Sequence, residues 1–251
     1  MDDDALLDLL TDAVVAVQEA LDAVVDRRPV TDRPGQYAID VVTDEVVVPV
    51  LVAGGVGVLS EESGLHHADR GVVVVVDPVD GSTNASRGIP WYATSLCAVD
   101  AEGPRVALVV NLATGERFDA VRGGGARRNG MPIKASDVRL IDEAILALTG
   151  LAAADLGWNQ FRSLGAAALD LCAVACGRLD GWVDCTPGLH GPWDYLGGML
   201  VCTEAGALVV DGDDRPLVTL EHEARRRPLA AATPELLEAL RQIRGVPRPH
   251  S

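Results

Sequence analysis

The sequence is poor in positive charge. Its 251 residues include 21 Lys and Arg against 37 Asp and Glu, which gives a formal net charge of −16 at pH 7. A field of this sign repels nucleic acids and anionic lipids, so the sequence disfavours both as partners. An acidic protein can still act on phosphate compounds if a divalent cation reverses the field where the substrate lies. Metal-binding motifs are therefore the first requirement for phosphate chemistry in this chain.

The sequence also lacks a segment suited to a membrane. Its longest apolar run, about residues 46–59, is interrupted by Pro49, Gly54 and Gly55. It is shorter than the ~18 residues that a membrane span needs. The N-terminus, Met1–Asp4, carries no basic stretch of the kind that opens a targeting signal. We therefore expect a soluble, cytoplasmic protein with no membrane partner.

Paired cysteines are absent as well. The cysteines form no Cys-x-x-Cys pair, and their odd number and apolar neighbours argue against a disulfide framework or a zinc site. We expect them to be small buried side chains. The five are Cys97, Cys172, Cys176, Cys185 and Cys202.

The first half of the chain predicts helices followed by strands. Helical spacing of apolar residues predicts an amphipathic helix over about residues 4–25, and Thr43 is a candidate cap for a short second helix. The valine run Val72–Val76 suits a strand that is buried on both faces and that ends at Asp77. The glycine-rich stretch 122–130 is expected to be a turn region. Further strands are expected over residues 56–59, 93–99 and 106–111.

The second half alternates strand-like and helix-like segments after a linker near Ser136. We expect an α+β protein with an N-terminal part over residues 1–135 and a C-terminal part over residues 136–251. The last helix has its signals in order, with Thr233 as the cap and Pro234 at the first helical position. The remaining predicted strands are 144–148, 181–184, 208–210 and 229–232, and the remaining helices are 164–176 and 194–205, the latter capped by Asp194.

The segment Asp77–Gly81 combines the chemistry of a metal site with that of a phosphate site. Asp77, Asp80 and the Val79 carbonyl offer three hard oxygen donors just past a rigid strand, a donor set that suits Mg²⁺. Residues 81–83 then lead into an expected helix start, where free N–H groups hold phosphate oxygens. The same residues are also typical of a solvent-exposed turn. The position of the segment directly after a buried strand is what favours a metal and phosphate site.

Two further acidic positions have ordinary structural explanations when taken alone. Glu61 and Glu62 follow a predicted strand, where acidic pairs are commonly surface charge. Asp194 lies where a helix N-cap belongs. A carboxylate has two oxygens, so capping a helix and binding a metal are compatible roles for Asp194.

Together these segments resemble the inositol monophosphatase-like family of Mg²⁺-dependent, lithium-sensitive sugar phosphatases. The motifs occur in the family's order and spread from about residue 40 to residue 233. The resemblance implies a layered αβαβα sandwich, often a homodimer, that hydrolyses a small polyol, sugar or related metabolite phosphate. The segments that carry it are Ser60–Ser63, Asp77–Asn84, Arg162–Asp170, Gly177–Gly181 and Trp193-Asp194 with the helix that follows to Gly206.

The resemblance also implies at least two Mg²⁺ ions and a role for each acidic residue. Glu61, Asp77 and the Val79 carbonyl would hold the first ion. Asp77, Asp80 and Asp194 would hold the second. Metal ions so placed clamp the attacking and leaving oxygens of an in-line displacement, and a metal-bound water becomes hydroxide near neutral pH.

The phosphate side of the implied site follows the same motif. Ser82 stands where the family often has threonine, and with Glu61 it would orient the attacking water. Backbone N–H groups of Gly81 and Ser82 would bind phosphoryl oxygens. The implied catalytic residues are Glu61, Asp77 and Ser82, and the implied substrate contacts are Asp80, Gly81, Ser82, Thr83, His190 and Asp194.

The sequence departs from the family pattern in the segment Asp40–Thr43. The family has an aspartate three residues beyond the threonine, where this chain has Val46. The usual basic residue shortly before Asp40 is missing, and Arg33 is the nearest candidate. A third metal and part of the water-orienting network therefore lack their usual residues. If Ser82 does not orient the water, Thr83 and Asp44 are the alternatives.

A second departure concerns the substrate. Animal inositol phosphatases have a glutamate shortly before Trp-Asp that contacts the sugar hydroxyls, and the stretch Cys185–Pro192 has none. Fructose bisphosphate, histidinol phosphate and adenosine bisphosphate are the alternative substrates. A non-catalytic protein that binds metal or a phosphorylated ligand is the alternative class.

Overall fold

The structure is a computed structural model that describes residues 1–33, 35–186 and 188–243. These ranges contain six helices and thirteen strands. The helices are α1 (Asp3–Ala23), α2 (Ala38–Ala53), α3 (Ser82–Arg87), α4 (Ala167–Ala175), α5 (Pro192–Glu204) and α6 (Pro234–Leu240). The strands are β1 (Gly57–Ser60), β2 (Gly64–His66), β3 (Val73–Asp80), β4 (Ala93–Asp100), β5 (Gly103–Asn111), β6 (Arg117–Val121), β7 (Gly125–Arg128), β8 (Met131–Pro132), β9 (Ile145–Thr149), β10 (Gln160–Arg162), β11 (Gly181–Asp184), β12 (Leu208–Asp211) and β13 (Pro228–Ala231).

Two sheets and three helical layers alternate through the molecule. The first sheet has the strand order β2-β1-β3-β4-β5-β6-β7-β8, and the second has the order β10-β9-β11-β13-β12. Helices α1 and α2 cover the outer face of the first sheet, α4 and α5 fill the space between the sheets, and α6 packs on the outer face of the second. This is the αβαβα sandwich that the resemblance implied, and the α+β prediction is confirmed.

The valine run in β3 shows why the first sheet lies between two helical layers. Side chains alternate between the faces of a strand. Val73 and Val75 join the core beneath α4 and α5, whereas Val74 and Val76 join the core beneath α1 and α2. All four are at most 4% exposed. A strand covered on both faces requires such an unbroken apolar run, as the sequence predicted.

The end of β3 lies farther along the chain than predicted. The expected end was Asp77, but Asp77 still pairs with Ser95, and the strand continues to Asp80, which pairs with Ala93. The register shifts between Asp77 and Asp80. An irregularity of this kind bends the strand and re-aims its side chains. The acidic motif is therefore part of the sheet rather than a turn beyond it.

Helix α2 begins earlier than predicted, at Ala38, and Thr43 lies inside it. The Thr43 hydroxyl donates to the Ile39 carbonyl at 2.7 Å instead of capping the helix. The N-cap is Tyr37, and Asp40 at the third helical position supports it, because Asp40 Oδ2 accepts the backbone N–H of Tyr37 at 2.7 Å. The valines of α2 have modest helix propensity, but packing against α1 and the first sheet outweighs that preference.

The glycine-rich stretch 122–130 is only partly a turn. Residues Gly125–Arg128 form β7, and β6, which the sequence analysis missed, pairs with it. The Glu204 carboxylate accepts the N–H groups of Gly123 and Gly125 at 2.8 and 3.0 Å. Pairing with a neighbouring strand and a carboxylate from α5 thus overcome the weak strand propensity of glycine.

The other composition-based expectations concern cysteines and membrane spans. The five cysteines are free thiols, four of them buried and Cys176 half-buried. Burial raises the pKa of Cys185 to about 11, which keeps this thiol protonated. Among the described helices, none is long and apolar enough to cross a membrane.

The close approach of α4 and α5 gives a test of the packing. A Cβ at Gly198 would lie 2.6 Å from the Leu171 Cβ and 3.0 Å from the Ala168 carbonyl oxygen. We expect Gly198→Ala to destabilise the protein by about 1–3 kcal/mol through overpacking, despite the better helix propensity of alanine. Gly71→Ala is the control, because a Cβ at Gly71 meets nothing within 4 Å. Denaturant unfolding measures both, and equal effects would contradict the packing described.

Candidate metal and phosphate site

Three carboxylates from separate elements converge beside the first sheet. Strands β1 and β3 pair in parallel with Ser60 opposite Val76, so Glu61, which directly follows β1, comes beside Asp77, the next residue of β3. Asp194 arrives from the first turn of α5. One carboxylate oxygen from each of Glu61, Asp77 and Asp194 lies within 4.8 Å of the other two. A single cation placed among them could contact all three.

Asp194 is inside α5 rather than at its cap. The helix begins at Pro192 with Gly191 as the N-cap, so the predicted start at Asp194 was two residues late. The Gly191 N–H donates to Asp194 Oδ2 at 2.6 Å. One carboxylate oxygen thus satisfies the helix end and fixes the side chain, and a second oxygen is left to face a cation. Asp194 therefore supports the helix end from its third position, and metal coordination by Asp194 stays a prediction.

Asp80 and Val79 lie next to the three carboxylates and support them. Asp80 accepts the backbone N–H groups of Ala167 and Ala168 at 3.2 and 2.7 Å, at the start of α4. The Val79 N–H donates to Asp77 Oδ1 at 2.9 Å and so orients that carboxylate. Asp80 is held by a helix N-terminus, where negative charge is favoured. Metal coordination by Asp80 and by the Val79 carbonyl stays a prediction.

The carboxylates repel one another because they lie close together and are at least partly shielded from water. Burial raises the pKa values of Glu61, Asp77 and Asp80 well above their ordinary range, and the negative charge of neighbouring carboxylates raises them further. Burial also raises the pKa of Asp194, although the nearby His190 opposes the shift. A divalent cation would remove this repulsion, and a set of hard carboxylate oxygens suits Mg²⁺. The residues therefore fit the metal that the sequence implied.

The turn after Asp80 favours glycine through both its backbone angle and its tight surroundings. Gly81 has φ of +86°, in the left-handed region, and a Cβ there would lie 3.1 Å from the carbonyl oxygens of Gly165 and Trp91. Helix α3 begins directly after it, with Ser82 half-buried and Thr83 exposed. Ser82 lines a cavity of about 220 Å³ together with Glu61. The predicted helix start is confirmed.

His190 is deeply buried, with only 6% of its surface exposed. Its Nδ1 lies 2.7 Å from Asp184 Oδ2, and its ring meets the Trp182 ring edge-on at 5.3 Å between centroids. Burial lowers the pKa of His190, but the Asp184 hydrogen bond and the charge of Asp194 outweigh it, so the pKa lies above its ordinary value. His190 is thus held beside the carboxylates, and its contact with a substrate stays a prediction.

His222 and Arg225 belong to the surroundings of the site, and the sequence analysis did not single them out. The Nε2 of His222 lies 2.9 Å from the Glu61 carbonyl oxygen, so this nitrogen donates a hydrogen bond. The His222 ring also stacks on Trp193 at 5.0 Å, and the Arg225 guanidinium carbon lies 5.1 Å from the same indole. The segment 222–225 therefore ties Glu61 to the Trp193-Asp194 pair. No local motif marks it in the sequence.

Arg33 and Asp44, both considered from the sequence, have defined partners. Arg33 Nη1 lies 3.1 Å from Glu62 Oε2, and the Gln36 side chain also donates to Glu62. Arg33 also lines the cavity of about 220 Å³ that Ser82 lines. Asp44 is buried and accepts a hydrogen bond from the Ser60 hydroxyl. Asp44 is accordingly engaged with β1.

Known proteins match most of the chain. The Inositol monophosphatase family matches residues 38–245. Fructose-1,6-bisphosphatase of Pyrococcus furiosus is 30% identical over 205 residues, which are 80% of this chain and 80% of that protein. Nus factor SuhB of Escherichia coli is 37% identical over 169 residues, which are 61% of this chain and 62% of SuhB. A solved structure from Pyrococcus horikoshii, described as having similarities to inositol-1 monophosphatase, has 26% identity and a TM-score of 0.86, with 96% of this chain and 98% of that chain covered.

The solved structure shares its layered α+β fold with this chain, and this fold defines the class of protein. Since the family match extends over residues 38–245, the chain belongs to the inositol monophosphatase family. The resemblance seen in the sequence is thereby confirmed. The match to SuhB spans less than two thirds of that relative's length, at 62%.

The shifted carboxyl groups predict how stability depends on pH without metal. The pKa values of Glu61 and Asp77 in the folded state lie well above their ordinary values of 4.5 and 3.8, so the folded protein binds more protons than the unfolded chain above that range. The free energy of unfolding should therefore fall as pH rises from about 5 to about 8. Added Mg²⁺ should restore it most at the upper end.

Thermal unfolding in chelator and in excess Mg²⁺, across this pH range, checks the expectation. Asp77→Asn, which removes one charge, should show a shallower fall. A metal-free stability that rises between pH 5 and 8, or that ignores Mg²⁺ at pH 8, would contradict it.

Proposed function

We propose that this protein is a Mg²⁺-dependent phosphomonoesterase that hydrolyses a small polyol, sugar or related metabolite phosphate. The observation that carries the proposal is the convergence of Glu61, Asp77 and Asp194 within 4.8 Å. These carboxylates lie beside a helix start suited to phosphoryl oxygens. Membership of the inositol monophosphatase family supports the same conclusion.

The acidic residues divide between two metal positions in this proposal. Glu61, Asp77 and the Val79 carbonyl hold one Mg²⁺, and Asp77, Asp80 and Asp194 hold the other. When bound, these ions neutralise the phosphoryl charge and lower the pKa of bound water. The ligands come from both the proposed N-terminal part (residues 1–135) and the proposed C-terminal part (residues 136–251), so the site lies between them.

The protein's own groups bind the phosphate and align the water. The N–H groups of Gly81 and Ser82 bind phosphoryl oxygens, and the left-handed turn at Gly81 brings the backbone close to them. The Ser82 hydroxyl and Glu61 orient the attacking water. Thr83 and His190 complete the contacts to the substrate.

The substrate class rests on chemistry that the relatives share. The Pyrococcus furiosus relative is named a fructose-1,6-bisphosphatase, which favours a sugar phosphate. Inositol phosphate, histidinol phosphate and adenosine bisphosphate are the other candidates. A panel of these esters, assayed for released phosphate with Mg²⁺, distinguishes them. Turnover of none of them, nor of an aryl phosphate, would favour a non-catalytic ligand-binding protein.

We also propose that the protein is a homodimer. An apolar groove of about 380 Å³ lies beside the edge strand β10 and is lined by Leu151, Trp158 and Phe161. Leu151 is 75% exposed and Phe161 is 53% exposed. Apolar side chains grouped in this way mark interaction surfaces. Light scattering should give twice the monomer mass, and Phe161→Glu should shift it toward the monomer; a monomeric wild type would contradict the proposal.

Removing one ligand charge tests the metal assignment. Asp77→Asn and Asp194→Asn should each lower turnover by at least ~10²-fold, because each removes a charged oxygen that metal binding and the transition state need. Wild-type turnover should disappear in excess chelator. The measurement is phosphate release at saturating Mg²⁺, with folding verified by circular dichroism.

Asp119→Asn is the matched control for these variants. Asp119 is buried and paired with Arg117 at 3.2 Å, away from the site. Its variant is expected to turn over at the wild-type rate. Near-normal turnover by folded Asp77→Asn or Asp194→Asn, or full phosphate release in chelator, would show the assignment to be wrong.

A further inference from the structure

Arg225 is a half-buried arginine that forms no ion pair with a carboxylate in the described part of the chain. Arg227, two residues further on, shows the more usual arrangement, because it is paired with Asp213 at 3.0 Å. Acidic side chains outnumber basic ones by 37 to 21 in this sequence, so a carboxylate partner is easily found. An arginine held away from all of them is available to an anion from outside the protein.

One nitrogen of Arg225 fixes the position of its guanidinium group. Nη1 donates to the carbonyl oxygens of His222 and Ala224 at 2.8 and 2.9 Å, and the guanidinium carbon lies over the Trp193 ring, 5.1 Å from its centre. Neither Nε nor Nη2 donates to an acceptor within residues 1–33, 35–186 and 188–243. These two nitrogens carry parallel N–H groups, which bind a phosphate or carboxylate bidentately.

The guanidinium group lies beside Asp194. Burial raises the pKa of Asp194, and the charge of Arg225 is one of the influences that oppose the rise. An opposite charge has this effect when it lies near the carboxylate. In the proposed function the metal ions and the backbone after Asp80 hold the phosphoryl group that is transferred, and Asp194 also contacts the substrate. Arg225 is therefore placed beside the rest of the substrate.

The other cationic side chains around the site already have carboxylate partners. Arg33 lies 3.1 Å from Glu62, and His190 Nδ1 lies 2.7 Å from Asp184. The acidic residues of the site would repel any further anionic group of the substrate. Of these three cations, only Arg225 has no carboxylate partner among the described residues, so it is the group suited to attract a second anion.

We propose that Arg225 binds a second phosphate group of the substrate through Nε and Nη2, so that the substrate is a bisphosphorylated metabolite. This inference rests on the proposed phosphatase function and names its substrate class. Water cleaves the ester of the phosphate at the metal site, and the second phosphate stays on the product. Charge-assisted bidentate hydrogen bonds of this kind are strong. A sugar bisphosphate and an adenosine bisphosphate both carry such a group.

Arg225→Gln, measured with matched pairs of esters, tests the assignment. The pairs are fructose bisphosphate with fructose monophosphate, and adenosine bisphosphate with adenosine monophosphate. For the bisphosphate that the wild type prefers, kcat/KM should fall about 10- to 100-fold more than for its monophosphate, mainly through KM. The pair that shows this difference identifies the source of the second phosphate. Arg225→Lys keeps the charge without the parallel N–H groups, so its loss should be intermediate.

Arg226→Gln is the matched control, because it is the same substitution at the next arginine. Arg226 Nε donates to the Pro216 carbonyl oxygen at 2.8 Å. Burial raises the pKa of Tyr195 and the charge of Arg226 opposes that rise, so Arg226 lies near Tyr195. Its variant should keep the wild-type preference between bisphosphate and monophosphate. Equal losses on both esters in Arg225→Gln would show that Arg225 acts only by supporting its protein neighbours, and would overturn the inference.

Binding of an analogue that is not hydrolysed gives a readout independent of turnover. A sugar bisphosphonate and the matching monophosphonate, in which carbon replaces the ester oxygen, are titrated into the Mg²⁺-loaded protein by calorimetry. Arg225→Gln should raise the Kd of the bisphosphonate about 10- to 100-fold more than that of the monophosphonate. Equal changes in the two Kd values would overturn the inference.

Failure of this inference is distinguishable from failure of the proposed function. A wild type that hydrolyses monophosphates but neither bisphosphate would overturn the inference and leave the phosphatase function standing. A wild type that releases phosphate from no ester, an aryl phosphate included, would contradict the proposed function, and the inference would fall with it.

Discussion

Repulsion between closely grouped negative charges is the constraint that the rest of the structure must satisfy. Glu61, Asp77 and Asp194 are gathered within 4.8 Å in a protein that already has a net charge of −16. Free side chains would move apart, so each carboxylate has to be held by a rigid element. The parallel pairing of β1 and β3 and the first turn of α5 hold them. The αβαβα layers fix these elements relative to one another.

Backbone N–H groups, rather than cationic side chains, donate hydrogen bonds to two of the acidic side chains, Asp80 and Asp194. The N-terminus of α4 donates two N–H groups to Asp80, and Asp194 lies in the first turn of α5. Helix N-termini carry partial positive charge that falls off within a turn. Such charge stabilises a carboxylate without occupying its remaining lone pairs, as a bound arginine would. The arrangement leaves room for metal ions as the main source of positive charge.

Local patterns predicted the parts of the fold and site that depend on neighbouring residues. The valine run predicted β3, because a strand buried on both faces has a clear local signature. The Asp77–Asn84 motif predicted the helix start at Ser82, because a glycine turn also has one. The predicted start of α2 was wrong. Thr43 resembles a cap, and only packing against α1 shows that the helix already begins before it, at Ala38. The roles of His222 and Arg225 could not be predicted, because their partners are far away in sequence. His222 contacts Glu61 across 161 residues.

The contact between His222 and Glu61 also bears on when the proposed metal site would be complete during synthesis. Glu61 leaves the ribosome long before Asp194, and His222 follows later still, so a growing chain carries an incomplete ligand set for most of its translation. Metal affinity arises from ligands that folding brings together. A Mg²⁺ ion bound as we propose would therefore find its full ligand set only after all three carboxylates had been synthesised and brought together by folding.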